Sequence, residues 1–390
     1  MSGRPLSFVG SPPAHSAYGL FVRRYAPWIR SPTPAAAPSP PGPSSKPWAG
    51  TLDAAKAVLD RLGIPYLRPV PRRDGILLAP QALLLTRSAW VTDIEHATPF
   101  VGIDYPRFDR PHTRWIVTRL LERDNCLGIV CWSEVCKRAF LERCPSATVA
   151  EKVHVAYPGI EADVASPHWA VRRSLRKLLF VFNKPEHNFF IKSGLEVVEA
   201  FKIARRSKAQ PLELHVVGPV PAAAASRLQG IPGLTLHGRI SREALRDVYE
   251  SCDLLVLPTV TDTFGMAFLE AFSSGMPALA IRWFSIPEII EHEDNGLLID
   301  KPPGLVSWMD ASGRPIMHCA DFIRIRTHAE PDATTSTLLA EQIVRLWRDP
   351  SLLERLSVGA SRTVREGRFS ADQACAALER VAAEIRRRRP

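Results

Sequence analysis

Asp262 and Glu270 stand with seven residues between them, on either side of Phe264-Gly265-Met266. Upstream, the apolar run Leu254–Leu257 reads as a buried strand closed by Pro258. Downstream, the periodicity predicts a helix from about Phe264 to Ser274, stopped by Gly275. A helix start presents free N–H groups and a positive dipole end, which suits a phosphate. Gly265 lacks a Cβ and lets a ligand approach the backbone. Two acids beside such a start can accept hydrogen bonds from sugar hydroxyls. Asp262 keeps a second reading, as a side chain that merely caps the helix.

These residues need a scaffold that aims strand ends and helix starts at one place. The second half of the chain predicts one. Strands are read at Leu178–Phe182, Glu213–Val217, Leu234–Leu236, Leu254–Leu257 and Ala278–Ala280. Helices are read between them at Ser193–Arg206, Arg242–Ser251, Phe264–Ser274 and Pro287–His292. Apolar strands alternating with helices imply a parallel sheet covered on both faces. Ligands in such sheets bind outside the C-terminal strand ends. The first half carries a weaker version, with strands at Ile76–Ala79, Trp90–Ile94, Cys126–Trp132 and Lys152–Ala156. Its helices are read from Thr51 or Asp53 to Leu62, at Trp115–Arg123 and at Ser133–Arg143. Two amphipathic helices near Thr337–Arg348 and Ala371–Arg389 close the chain.

The first 50 residues hold 11 of the 35 prolines and read as a linker or surface loop, and residues 1–30 are a candidate source of a further first strand. The 390 residues, 46% hydrophobic, suffice for two α/β cores and exclude a disordered chain. Seven cysteines, an odd number, fit a reduced compartment better than a disulfide framework, and the spacing of Cys126, Cys131 and Cys136 is not a zinc-finger pattern. There is no apolar run long enough for a membrane span and no signal-peptide core, so the expected location is cytoplasmic.

The motif Asp262-x7-Glu270, with Phe264-Gly265 inside it, resembles the Glu-x7-Glu signature of retaining glycosyltransferases of the GT-B fold, family four. Leu234–Tyr249 resembles the strand–Gly–helix unit upstream of that signature. Pro287-Glu288 and Asn295-Gly296 resemble its downstream stretch. Asp349-Pro350 looks like its C-terminal end, and Tyr157-Pro158-Gly159 like the close of its first domain. The first acid departs from the family pattern, being Asp, one methylene shorter than Glu.

The resemblance implies two Rossmann-like domains facing across a cleft, with a C-terminal helix packing back on the N-terminal domain. The corresponding division is a Pro-rich segment 1–50, an acceptor-side domain 51–165, a nucleotide-sugar domain 166–370 and a returning helix 371–390. Residues 302–332 are an insertion, whose Trp308, Met309, Met317 and Phe322 either pack on the donor domain or shape the acceptor side. The donor substrate implied is a nucleoside-diphosphate sugar, with no cofactor and no metal. Glu270 would hold the ribose. Asp262, Phe264, Gly265 and Met266 would meet the donor sugar. Lys192 and Lys184 would grip the diphosphate, and Gly218 would border the nucleotide. Glu95, with His96 beside it, falls where many members place a histidine facing the sugar.

The acceptor implied is a glycan, a lipid-linked molecule or a small molecule. A second reading is a binding protein that keeps the fold without turnover. The net charge of +10 is lopsided, +8 over residues 1–160 and +2 over the rest. The basic half lacks aromatic interleaving and any recognition module, which argues against nucleic acid. Its charge points to an anionic acceptor or peripheral contact with an anionic membrane, or simply to solubility.

Overall fold

The computed structural model describes residues 6–8, 62–103, 105–161, 171–183, 186–207 and 211–387. Lys184 lies outside them, as does the helix expected from residue 51 or 53, apart from Leu62. The chain divides into one unit of Met1–Pro158 with Ala374–Pro390, and a second of Gly159–Gln373. Each is a Rossmann-like α/β unit built on a parallel sheet.

In the first unit the strands of the main sheet are β1 (Leu6–Phe8), β2 (Ile76–Leu78), β3 (Ala89–Ile94), β4 (Cys126–Cys131) and β5 (Val153–Val155). They lie in the order β1-β2-β3-β4-β5, every pair parallel. All six residues of β4 are buried, which is why the strand reads as an unbroken apolar run. Cys126 and Cys131 belong to that run and Cys136 to the helix after it, and burial pushes the Cys126 thiol up to about 12. The flanking helices are α1 (Pro111–Glu122) and α2 (Glu134–Arg143); Ser133 caps α2 by accepting from the Cys136 N–H.

In the second unit the strands are β6 (Lys177–Val181), β7 (Glu213–Val217), β8 (Leu234–Gly238), β9 (Leu254–Val256), β10 (Ala278–Ile281) and β11 (Gly296–Ile299). They lie in the order β8-β7-β6-β9-β10-β11, all parallel. Counted within the unit, that is 3-2-1-4-5-6, the dinucleotide-fold order, in which the strand order, not the strand direction, reverses between the first and fourth strands. The expected strands of this half all form. β11 was read only as the Asn295-Gly296 landmark and emerges as the sixth strand.

The helices of eight or more residues here are α3 (Gly194–Arg206), α4 (Arg242–Ser251), α5 (Met266–Ser273), α6 (Cys319–His328), α7 (Ala333–Arg348) and α8 (Pro350–Arg365), and the helix expected at Pro287–His292 is a single turn, Ile286–Ile289. Helix α6 lies within 302–332, the stretch expected to be an insertion, and Trp308, Met309 and Phe322 are buried in this unit while Met317 is half-buried. The Asn295-Gly296 pair is architectural. Asn295 Nδ2 donates to Ile289 O and to Thr363 Oγ1, and its Oδ1 accepts from the Glu291 N–H. One buried amide thus ties the turn before β11 to α8.

The last helix, α9 (Ala371–Arg387), joins the first unit through its C-terminal part. Ile385 occupies the space that a Cβ on Gly128 of β4 would take, and Glu384 lies 3.2 Å from His154 Nδ1 on β5.

Candidate functional site

The reversal between β6 and β9 opens at their C-terminal ends, and the segments that leave those ends carry the candidate residues. After β6 the chain runs through a one-turn helix, Asn188–Ile191, to Lys192. After β9 it runs through Pro258 to the loop that holds Asp262. Lys192 Nζ and Asp262 Oδ1 meet at 2.8 Å, with side-chain exposures of 14% and 15%. Residues 70 positions apart are therefore one ion pair, shielded enough that solvent screens it only in part.

The loop is shaped by Thr259, which is fully buried. Its Oγ1 accepts from the N–H groups of Thr261 and Asp262. That turn fixes the Asp262 backbone and sends its side chain toward Lys192. Asp262 Oδ2 is buried and has no hydrogen-bond partner among the described residues. A buried acceptor left open carries a desolvation cost that a sugar hydroxyl would remove.

Asp262 does not cap the helix. Helix α5 begins at Met266, its N-cap is Gly265, and no side chain caps it. The amides ahead of the Phe268 N–H to Gly265 O bond, at the start of α5, have no intrahelical acceptors. Gly265 has φ +104, and a Cβ there would sit 2.7 Å from the Phe268 ring, so only glycine fits. Phe264 is buried with its ring edge against Phe369, 6.2 Å between centroids. Ser285 Oγ donates to the carbonyls of both Thr263 and Phe264. Side-chain packing of Phe264 and the Ser285 hydrogen bonds thus secure the loop.

Glu270 lies about one turn into α5. Its Oε2 accepts from Tyr249 Oη at 3.1 Å, from the end of α4. Burial raises the Glu270 carboxyl above the usual range, while the Tyr249 hydrogen bond and the Arg242 and Lys192 charges pull it down. Tyr249 is raised well above its ordinary value, first by burial and then by the neighbouring carboxylate, so it stays a neutral donor. One carboxylate oxygen is committed to Tyr249, and Oε1 is the one available to a ligand. In the sequence Tyr249 only closes the Leu234–Tyr249 motif. A phenol falling on the buried side of an otherwise charged helix was the signal of its role.

Arg172 fastens this corner. Its Nη2 donates to the carbonyls of Tyr249 and Ser274, at the C-terminal ends of α4 and α5, where helix dipoles favour a cation. Gly218 ends β7 with φ +145, and a Cβ there would lie 2.5 Å from Phe182 O at the end of β6. Its glycine identity follows from that close approach of two strand ends.

Glu95 and His96 belong to the first unit, just after β3. Glu95 Oε1 accepts from Gln81 Nε2 at 3.1 Å. His96 is 4% exposed, and burial lowers its pKa to about 4, so the ring is neutral near pH 7. Its Nδ1 accepts from the Thr98 N–H at 3.3 Å, which leaves the ring proton on Nε2. Asp93 of β3 accepts the Trp132 Nε1–H at 2.8 Å. Its carboxylate serves the core of this unit.

Residues 186–310 match the family described as Glycosyl transferases group 1. Sulfoquinovosyl transferase SQD2 of Arabidopsis thaliana is 25% identical over 187 residues, 47% of this chain and 36% of that protein. A D-inositol 3-phosphate glycosyltransferase of Corynebacterium jeikeium is 27% identical over 194 residues, 44% of this chain and 45% of that protein. The chain thus matches less than half the length of these curated relatives. Among solved structures, Anabaena HepE in complex with UDP and glucose covers 98% of this chain and 100% of its own at 14% identity, with a TM-score of 0.59. A glycosyltransferase of Rickettsia africae covers 89% and 84% at 13% identity, with a TM-score of 0.53. These likenesses fix the fold as the two-domain GT-B type.

Proposed function

We propose, from the premise that this chain is of the glycosyl transferases group 1 type on a GT-B fold, that it moves a sugar from a nucleoside-diphosphate donor to an acceptor with retention at the anomeric carbon. The observation that carries this reading is the meeting of Lys192, Asp262 and the uncapped start of α5 at the strand-order reversal. Glu270 Oε1 would take the ribose hydroxyls, and Tyr249 would hold the carboxylate still. Lys192 and the first amides of α5 would take the diphosphate. Charge builds on that leaving group as the glycosidic bond breaks, and positive groups already in place stabilise it without reorganisation. Asp262 Oδ2 would accept from a donor-sugar hydroxyl.

The Lys192–Asp262 pair fits this assignment. The lysine has three donors and Asp262 takes one, so it can turn toward a phosphate without abandoning the acid. Asp is long enough to reach Lys192, so the shorter first acid does not argue against a working site. Transfer to the face the leaving group departs from needs no protein nucleophile, and none is assigned. UDP-glucose is the first donor to try, because HepE has been solved with it. The test is a donor panel with mass-spectrometric detection of transferred or hydrolysed sugar. Turnover that vanishes in Glu270→Ala supports the proposal. Binding without turnover in wild type would favour the non-catalytic reading, and no binding of any donor would refute both.

A further inference from the structure

The insertion that the catalytic proposal does not use reaches the diphosphate grip from behind. Arg326, on α6 within the insertion, is 5% exposed and pairs with Glu196 of α3, 1% exposed, at 2.9 Å from Nη1 to Oε1. Its Nη2 donates to Phe190 O at 3.0 Å and to Ser193 Oγ at 3.3 Å. Glu196 Oε1 also accepts the Asp332 N–H at 3.2 Å, so the far end of the insertion is tied to the same carboxylate.

Ser193 follows Lys192 directly and adopts φ +66, ψ 38, the left-handed region, while fully buried. A residue with a Cβ holds that conformation only where its surroundings impose it. The guanidinium grips the chain on both sides of Lys192, at Phe190 O and Ser193 Oγ. The ion pair itself is a poor stabiliser. Arg326 Nε and Glu196 Oε2 are buried with no hydrogen-bond partner among the described residues, and an incompletely satisfied buried pair gains little over apolar packing. Its value lies in the geometry it imposes.

We propose that Arg326 is a positioning residue, holding the Phe190–Ser193 turn so that Lys192 is aimed at the diphosphate of the donor. This rests on the reading of Lys192 as a phosphate ligand. Arg326→Lys keeps the charge but cannot span three acceptors. The double variant Arg326→Met/Glu196→Gln removes both charges and leaves no buried ion orphaned. Binding is measured for the tightest of UDP, GDP and ADP, and for its nucleoside.

Both variants are expected to bind the diphosphate about ten- to hundredfold more weakly, the worth of one charged hydrogen bond. Nucleoside affinity should stay within about twofold, since only the phosphate contact is disturbed. In a Lys192→Ala background, Arg326→Lys should cost nothing further. Unchanged diphosphate affinity in both variants, equal loss for nucleoside and diphosphate, or an undiminished effect without Lys192 would each overturn the assignment. Failure of wild type to bind any diphosphate would instead sink the donor reading on which it stands.

Discussion

Tyr249→Phe removes one hydroxyl and leaves the ring packing in place. The lost contact is the 3.1 Å hydrogen bond to Glu270 Oε2, made to a carboxylate that burial already pushes toward protonation. A hydrogen bond to a charged partner is worth about 1.5–3 kcal/mol, so the ionised form of Glu270 is disfavoured by that amount. Two consequences have definite signs. The carboxylate protonates at higher pH than in wild type, so the acid limb of kcat/KM for the donor moves upward. Near the top of the profile, where Glu270 is ionised in both proteins, the loss is smaller and appears mainly in KM.

The stability change follows from the same direction. Glu270 is raised in the folded state, so its contribution is present below the unfolded carboxylate range and is lost as pH rises through the folded value. Tyr249→Phe raises it further, and the variant should lose more melting temperature at pH 8 than at pH 4. The assay is a pH series of initial rates beside a pH series of thermal melts. An acid limb that stays put or moves down, or a melting deficit larger at pH 4, would refute the assignment of Tyr249 as the group that keeps Glu270 ionised.

Gly265→Ala should cost about 1–3 kcal/mol of stability by melting and also weaken donor binding, because φ +104 and the Phe268 ring leave no room for a methyl. His96, lowered to about 4, contributes stability present above its unfolded value of 6.5 and lost as pH falls from there toward 4. That loss is on the order of 3 kcal/mol, and His96→Gln should flatten the acid side of the stability curve. Asn295→Ala should destabilise by about 2–4 kcal/mol through three lost hydrogen bonds, with donor affinity per folded molecule unchanged in calorimetry. Turnover, once found, should survive EDTA, because Lys192 and the start of α5 carry the positive charge assigned to the leaving group.

The second unit was largely legible because its central strands are buried on both faces and read as apolar runs, such as Leu254–Val256 and Ala278–Ile281. The adjacency of β6 and β9 across the strand-order reversal gave the site its place, but not its contacts. Spacing alone left Asp262 as cap or ligand, and only the N-cap at Gly265 with no side-chain cap separates the two. No local pattern could pair Lys192 with Asp262, since each leaves a different strand end. Helix α8 escaped as a separate element because Asp349-Pro350 was read as a landmark. Pro350 in fact occupies its first turn, capped by Asp349 accepting from the Leu352 N–H. Gly359 in its middle also lowers local helix propensity by about 1 kcal/mol. The insertion was equally opaque, because Arg326 reads as one arginine in the basic stretch Arg324-Ile-Arg326 until Glu196 is placed against it.

The most direct test of the central claim is calorimetric binding of UDP-glucose and its GDP and ADP counterparts to wild type, Glu270→Ala and Lys192→Ala. The account expects wild type to bind at least one of these sugar nucleotides and each variant to lose at least about tenfold in affinity, the worth of one charged hydrogen bond. Both variants matching wild type, or no binding by any of the three proteins, would contradict it.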